Sequence, residues 1–136
     1  MDVKDLKILL IDDSFEAINI IKGMLKSIEV DQIFTAKDGK EGLDFLGIAD
    51  DMIDVVLCDW NMPRISGLEL LTQLRSCDPD LPFLMITGAS DYDSVAAAKS
   101  AGVTGYLRKP FSPLDLEKKL TVVSRMIEAR QSAMAE

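Results

Sequence analysis

The chain has 136 residues, of which 48% are hydrophobic and 28% are charged, and this length and composition indicate one globular domain and exclude a disordered chain. Fifteen basic against 23 acidic residues give a net charge of −8, which is unfavourable for binding the phosphate backbone of nucleic acids. The sequence has no histidine, which excludes histidine-based nucleophilic catalysis, and neither a long apolar run nor a basic leader, so we expect one cytoplasmic domain over residues 1–136.

Short apolar runs alternate with amphipathic stretches along the whole chain. The runs predict five strands, at residues 8–11, 33–36, 55–58, 83–86 and 106–107. The stretches between them carry apolar residues every three or four positions and predict five helices, at 17–28, around Leu43 and Leu46, and at 68–74, 95–101 and 116–127.

Local signals mark the ends of the last two helices. Gly102 stands where a helix commonly ends in a left-handed residue. Ser112 is a predicted N-cap, with Pro113 at the first helical position and Asp115 at the third. Residues 129–136 are expected to fray.

Five strand–helix units in one chain predict the fold class. Uninterrupted apolar strands that alternate with helices are typical of a parallel sheet covered on both faces. A doubly wound sheet of five such units is flavodoxin-like, a (βα)5 arrangement with strand order 2-1-3-4-5.

Polar residues follow the predicted strands at the points where the strands end. Asp12 and Asp13 follow the first strand, Asp59 the third, Thr87 the fourth and Lys109 the fifth. In such sheets ligands bind at the carboxyl ends of the strands, near the point where strand order reverses. Three carboxylates meeting there would repel one another, and an oxygen-only ligand set favours Mg²⁺ as the ion that relieves the repulsion.

The same residues suggest phosphoryl chemistry. The Asp59 carboxylate can attack phosphorus to form an acyl phosphate, while Lys109 supplies positive charge and the Thr87 hydroxyl donates a hydrogen bond. Asp59 is the favoured nucleophile because the residues after it predict an exposed loop. Each of these residues alone is more often structural, since Asp is common in turns. Five of them at one sheet edge favour a functional site.

The arrangement of short motifs is specific to one family. The motifs are Leu10-Ile11-Asp12-Asp13-Ser14, Asp38-Gly39, Asp59-Trp60-Asn61-Met62-Pro63 with Gly67, Ile86-Thr87-Gly88, Gly105-Tyr106 and Lys109-Pro110-Phe111. In these residues the sequence resembles a response regulator receiver domain, the CheY-type phosphoacceptor, over essentially its whole length. The resemblance implies a stand-alone signalling protein, whose partners are a sensor histidine kinase or phosphotransfer protein and a downstream target.

The resemblance also assigns roles to the site residues. It implies that Asp13 and Asp59 ligate Mg²⁺ directly, that Asn61 contributes its backbone carbonyl, and that Asp12 holds the ion through water. It implies that Asp59 accepts the phosphoryl group from a kinase phosphohistidine.

Further roles concern the response to that group. Thr87 and Lys109 would contact the phosphate, and Tyr106 would change rotamer to report it. In this family the Lys109–Pro110 peptide is typically cis, which directs the lysine into the cleft. The partner face would be the fourth helix, fifth strand and fifth helix, where residues 108–136 carry six basic and four acidic side chains.

The segment from Asp59 to Pro63 and the Gly67-Leu68-Glu69-Leu70-Leu71 run resemble the chemotaxis branch of the family. At Ala89 some chemotaxis members carry an acidic residue beside the water that hydrolyses the acyl phosphate, so the lifetime of the phosphorylated state is open. Two alternatives remain: a phosphate shuttle or sink in a phosphorelay, and an aspartate-nucleophile phosphatase of the haloacid dehalogenase type. The phosphatase family uses an Asp-x-Asp motif, whereas Asp59 is followed by Trp60 and Asn61.

Several other residues have a structural and a functional interpretation. Trp60 is either a docking residue or a side chain that packs the loop. The methionines are either gap fillers in the core, as predicted for Met24 and Met85, or part of a binding groove. Cys58 and Cys77 are expected to be free thiols.

Overall fold

The computed structural model describes residues 1–88 and 92–135, and this part of the chain forms five strands and five helices in alternation. The strands are β1 (Ile8–Ile11), β2 (Ile33–Ala36), β3 (Val55–Asp59), β4 (Phe83–Thr87) and β5 (Gly105–Arg108). The helices are α1 (Phe15–Ser27), α2 (Gly39–Ala49), α3 (Gly67–Cys77), α4 (Tyr92–Ser100) and α5 (Pro113–Ala135).

The strands form one parallel sheet in the order β2-β1-β3-β4-β5. Ile11 at the end of β1 lies beside Ala36 and Cys58, and Asp59 at the end of β3 lies beside Ile86. Strand order reverses between β1 and β3, which are direct neighbours. The prediction of a flavodoxin-like, doubly wound sheet is confirmed.

Alternate residues of the sheet face two separate apolar clusters, because successive side chains of a strand point to opposite faces. One face packs against α1 and α5 through strand residues that include Ile8, Leu10, Val55, Leu57, Leu84 and Ile86. The other packs against α2, α3 and α4 through Leu9, Ile11, Val56, Cys58, Phe83 and Met85. Every residue of β1, β3 and β4 is buried, whereas the edge strands β2 and β5 are partly exposed.

The predicted element bounds differ from the structure at a few places. β3 and β4 each continue one residue further and include Asp59 and Thr87. The predicted fourth helix, 95–101, instead spans Tyr92–Ser100, because its polar first turn lacks the apolar spacing by which helices are recognised. β5 spans Gly105–Arg108, one residue more at each end than predicted, and both edge strands are partly exposed because one side of an edge strand stays open to solvent.

The predicted helix ends near the last strand are confirmed. The Ser112 hydroxyl accepts a hydrogen bond from the Asp115 backbone N–H at 3.1 Å, and the Asp115 carboxylate accepts one from the Ser112 N–H at 3.0 Å. This reciprocal pair caps α5. Gly102 has a φ of +93°, a left-handed conformation that suits glycine after α4.

Helix α5 is longer than predicted. It continues to Ala135, whereas fraying was expected from residue 129. The side chains of residues 131–134 are exposed, which means that this last part of the helix is not supported by packing against the core. Fraying of this end in solution therefore stays a prediction. Within the described residues, no helix is both long and apolar enough to cross a membrane.

Candidate functional site

The predicted site residues meet at the carboxyl edge of the sheet. Asp12 follows β1, Asp59 ends β3, Thr87 ends β4 and Lys109 follows β5. Backbone hydrogen bonds continue the strand pairing past these ends, from Trp60 N–H to the Ile86 carbonyl at 2.9 Å and from Lys109 N–H to the Thr87 carbonyl at 2.8 Å. The sheet itself therefore fixes the spacing of the site.

Three carboxylates form a cluster in this position. One ligand atom from each of Asp12, Asp13 and Asp59 lies within 4.8 Å of the others. Asp12 is 1% exposed and Asp59 8% exposed, while Asp13 is open to solvent. The Asp12 Oδ1 atom accepts a hydrogen bond from the Ser14 N–H at 2.9 Å, and its buried Oδ2 has no hydrogen-bond partner among the described residues.

The cluster raises the proton affinity of its buried members. Burial raises the pKa of Asp59 from the ordinary 3.8 to about 6, and the neighbouring Asp12 charge adds to the increase. The Lys109 ammonium and a backbone hydrogen bond with Asn61 oppose it. Burial likewise raises the pKa of Asp12, against the lowering effects of the Ser14 hydrogen bond and Lys109. Keeping these carboxylates ionised therefore lowers the stability of the fold, and a bound cation would offset that loss.

The two polar residues from the other strands complete the cleft. Lys109 Nζ lies 3.9 Å from Asp59 Oδ1, and the Lys109–Pro110 peptide is cis, as the family resemblance implies. Thr87 is 3% exposed, and its hydroxyl donates to the Gly88 carbonyl at 3.0 Å. A bound anion would therefore find the lysine already beside Asp59, whereas the threonine hydroxyl would have to exchange its partner.

The loop after Asp59 is only partly exposed. The prediction of an exposed loop is right for Asn61 and Pro63 and wrong for Trp60 and Met62, which are buried against the α2–α3–α4 face. Trp60 is thus a packing side chain in this structure. Apolar side chains placed between polar ones close the loop onto the core.

Gly67 allows that loop to close. A Cβ at Gly67 would lie 2.6 Å from Trp60 Cε3, 2.9 Å from Trp60 Cα and 3.0 Å from the Asp59 carbonyl oxygen. The Gly67 N–H also donates to the Trp60 carbonyl at 3.0 Å. The Ser66 hydroxyl accepts a hydrogen bond from the Glu69 N–H and caps α3. The start of α3 is therefore packed directly against the end of β3, where Asp59 lies.

Tyr106 lies in β5, beside Met85 of β4 and two residues short of the strand end. Its half-buried ring packs against the α2–α3–α4 face, and the Lys119 ammonium lies 5.4 Å from the ring centroid. Tyr106 thus connects the site-bearing strands with α5. Met85 is fully buried, as predicted for a gap filler, whereas Met24 packs partly buried against the core and also lines an apolar groove along α1. Cys58 and Cys77 are free thiols.

Sequence reasoning missed two features beside the site. Ser14 caps α1 by accepting from the Ala17 N–H at 3.1 Å while its own N–H orients Asp12. A largely apolar groove of about 370 Å³ also opens between α1 and the segment after β5. Ile20, which lines the groove and is 55% exposed, falls outside the helix's core stripe and is the residue that could have indicated the groove. Ala89, where the chain departs from some chemotaxis sequences, lies outside the described residues.

The carboxylate cluster fits a hard divalent cation. Among the described residues the buried Asp12 Oδ2 has no hydrogen-bond partner, and all three acidic side chains offer oxygen, the donor that Mg²⁺ prefers. Asp13 is exposed and keeps the cluster accessible from solvent. Exposed acidic groups alone would be weak evidence, but two of the three carboxylates are buried, and the donor set that they form with Asp13 fits a cation.

Comparisons with known proteins identify one family. A family model described as the response regulator receiver domain matches residues 8–121. The chain is 37% identical to chemotaxis protein CheY-3 of Vibrio cholerae over 119 residues, which cover 86% of this chain and 90% of the relative. It is 38% identical to a CheY homologue of Campylobacter jejuni over 117 residues, covering 85% and 89%.

Solved structures give the same result. A receiver domain protein from Clostridium thermocellum superposes with a TM-score of 0.85 at 31% identity, covering 91% of this chain and 98% of that one. CheY4 of Vibrio cholerae superposes with a TM-score of 0.78 at 32% identity, covering 87% and 98%. Together with the family match and the clustered aspartates, these likenesses show that the chain belongs to the response regulator receiver domain family.

Proposed function

We propose that this receiver domain is a phosphorylation switch of two-component signalling. Asp59 takes a phosphoryl group from a phosphohistidine of a histidine kinase or phosphotransfer protein, and the modified domain changes its affinity for a target protein. The observation that carries the proposal is the position of Asp59: a carboxylate at a strand end, clustered with two others and 3.9 Å from the Lys109 ammonium.

The transfer is a displacement at phosphorus. An Asp59 carboxylate oxygen forms a bond to phosphorus while the bond from phosphorus to the donor's imidazole nitrogen breaks. That nitrogen keeps the electron pair and takes up a proton. Lys109 supplies positive charge next to the incoming phosphoryl oxygens, and Thr87 can donate its hydroxyl to them once it leaves the Gly88 carbonyl.

Mg²⁺ is part of the proposed site. Asp13, Asp59 and the Asn61 backbone carbonyl would ligate it, with Asp12 acting through water. When bound, the ion would supply charge that offsets the negative oxygens of the phosphoryl group. The raised pKa of Asp59 also supports this role, because positive charge beside a buried carboxylate favours its ionised form.

The groove beside α1 is the proposed docking surface for the donor. Ser14 and Lys109 line both this groove and the carboxylate cluster, so a helix seated there would place its histidine side chain beside Asp59. The exposed Ile20 and the groove-lining Met24 and Phe111 provide apolar contact area. We expect Ile20→Lys to slow phosphotransfer from a kinase at least severalfold and to leave phosphorylation by acetyl phosphate unchanged.

Tyr106 is the proposed reporter of the phosphorylated state. Movement of Thr87 toward the phosphate would free space beside β5, and the half-buried Tyr106 ring would turn into it. Tyr106 also lines a second cleft of about 290 Å³ between β5 and α5, which is bordered by Arg108, Lys118 and Lys119 and by one carboxylate, Asp115. Three cations against one carboxylate suit a target that presents acidic residues.

The switch is distinguished from a phosphate shuttle or sink by what Tyr106 does. We expect Tyr106→Ala to be phosphorylated nearly normally but to lose most of its phosphate-dependent binding to a target. The measurement is capture of a partner by protein with and without beryllofluoride, a mimic of the acyl phosphate. Capture by the variant equal to that of the wild type would favour the sink. The likeness to chemotaxis proteins favours a motor or kinase complex as the target.

The proposal also separates this chain from a phosphatase of the haloacid dehalogenase type. The second residue after Asp59 is Asn61, whose side chain is exposed and has no carboxylate to act as a general acid. Release of phosphate from small phosphomonoesters at a rate well above the uncatalysed one would contradict this separation.

A further inference from the structure

Helix α4 is held unevenly along its length. Residues 93–97, the half nearer the phosphoacceptor edge, contain no fully buried side chain. Beyond them Ala98 is 1% exposed, and Ala101 and Val103 pack partly buried against the core. The C-terminal end of the helix is therefore the anchored end.

Backbone hydrogen bonds strengthen this anchor. The Gly102 N–H donates to the Lys99 carbonyl at 3.2 Å, and the Val103 N–H to the Ala98 carbonyl at 3.0 Å. Thr104 then exchanges hydrogen bonds with Phe83, whose N–H donates to the threonine hydroxyl at 2.9 Å and whose carbonyl accepts from the threonine N–H at 2.9 Å. The end of α4 is thus tied to the start of β4.

One side chain from another helix joins the same point. Arg75 of α3 donates from Nε to the Gly102 carbonyl at 2.9 Å and from Nη1 to the Asp78 carbonyl at 3.1 Å. Its stem packs so closely that a Cβ at Gly102 would lie 3.3 Å from Nε. A planar guanidinium can hold two carbonyls in fixed directions, which an ammonium cannot do.

The surroundings keep Arg75 itself in place. Helix α3 is fixed by three buried leucines, Leu70, Leu71 and Leu74. The Asp78 carboxylate accepts hydrogen bonds from the next loop at the Asp80 and Leu81 N–H groups, at 2.9 and 3.0 Å. Arg130 of α5 donates to the Asp80 carbonyl of that loop. The loop is thus held from both α3 and α5.

These contacts lead to an assignment that rests on the function proposed above. We propose that Arg75 is a positioning residue of the switch, which holds the C-terminal end of α4 so that phosphorylation moves the N-terminal half relative to the segment anchored at Ala98 and Gly102. The weakly packed half then responds to Thr87, while the end near Arg75 stays fixed. The swing changes the face formed by α4, β5 and α5 without moving the core.

The test uses the full chain with Mg²⁺ and beryllofluoride, followed by amide NMR and hydrogen exchange. In the wild type we expect large shift changes in residues 93–97 and small ones in 101–103. In Arg75→Met, which keeps the apolar stem, residues 101–103 should shift as well, and the Gly102 and Val103 amides should exchange roughly tenfold faster because the anchoring bond is lost.

Two further variants serve as controls. Lys99→Met removes an exposed cation near the end of α4 without touching the Gly102 carbonyl, and should keep the wild-type pattern. Arg75→Lys keeps the charge but cannot hold both carbonyls, and should behave like the methionine variant. A purely structural role for Arg75 would lower the stability of the fold and leave the shift pattern unchanged.

The outcomes separate the two proposals. Wild-type shifts as large in residues 101–103 as in 93–97, or an Arg75→Met pattern equal to that of the wild type, would overturn the hinge while the phosphoacceptor function stands. Absence of any shift at Thr87 with beryllofluoride would overturn the proposed function and the hinge with it.

Discussion

Replacing Asp59 by asparagine should make the metal-free protein more stable, although it removes the proposed nucleophile. The carboxylate is 8% exposed, and burial with the Asp12 charge raises its pKa from 3.8 to about 6. Since one pKa unit corresponds to about 1.4 kcal/mol, the folded state carries the ionised Asp59 at a cost of up to about 3 kcal/mol. Asparagine keeps the shape of the side chain and removes this cost.

The raised pKa of Asp59 also predicts how the stability difference between Asp59→Asn and the wild type changes with pH. An acid whose pKa is raised on folding binds its proton more readily in the folded state, so the stability it contributes is present at low pH and lost as pH rises through about 6. The advantage of Asp59→Asn over the wild type should therefore be full at pH 7.5. It should fall by roughly half at pH 5, where the wild-type carboxyl is mostly protonated in the folded state.

The assay is urea unfolding in the presence of a chelator, followed by circular dichroism and by the fluorescence of Trp60. For a domain of this size, a gain of this order corresponds to roughly 10 °C in melting temperature. Asp31→Asn, at an exposed position on the loop before β2, is the matched control and should change stability little. An Asp59→Asn variant no more stable than the wild type at pH 7.5, or a gain that does not shrink at pH 5, would refute the electrostatic account.

Three further predictions concern the metal, the loop and the last helix. Mg²⁺ should change the fluorescence of Trp60 and raise the melting temperature of the wild type. At a hundredfold excess of Mg²⁺ over its dissociation constant, the free energy of unfolding should increase by about 2.7 kcal/mol. A titration in which neither readout changes would count against the ion site. Gly67→Ala should cost about 1–3 kcal/mol because its Cβ would meet Trp60 at 2.6 Å, whereas Gly47→Ala, with nothing within 4 Å, should stabilise α2; equal effects in thermal unfolding would contradict the packing argument. Ser112→Ala should cost about 1 kcal/mol by loss of the α5 cap, and an unchanged urea midpoint would show that the cap contributes nothing.

The sequence is sufficient to predict the strands and their order, but not every residue at which a strand or helix begins or ends. The bounds of β1 and β2 follow from apolar runs that end at acidic or glycine-containing turns. β3 and β4 extend one residue further because backbone pairing continues through a polar side chain, and an Asp or Thr at a strand end looks like the start of a loop. The start of α4 was missed for a similar reason, since its first turn has no apolar spacing.

Some features of the candidate site could be predicted from the sequence and others could not. Which residues meet could be predicted, because parallel strands bring their carboxyl ends to one edge, and Asp12, Asp13 and Asp59 do cluster there. The Asp12 oxygen that has no partner among the described residues, and the hydrogen bonds of Arg75, could not be predicted, because they depend on rotamers and on the approach of segments distant in sequence. The clustering of the aspartates was thus predictable from residue types and spacing, whereas the chemistry assigned to them stays a prediction.

The central claim is that Asp59 accepts the phosphoryl group. Wild type, Asp59→Asn and the control Asp31→Asn are each incubated with acetyl phosphate and Mg²⁺, and the modified residue is mapped by mass spectrometry of peptides after borohydride reduction of the acyl phosphate. The account predicts one modification, at Asp59, in the wild type and the control, and none in Asp59→Asn. Modification of Asp59→Asn to the wild-type level, or a modified wild-type residue other than Asp59, would contradict it.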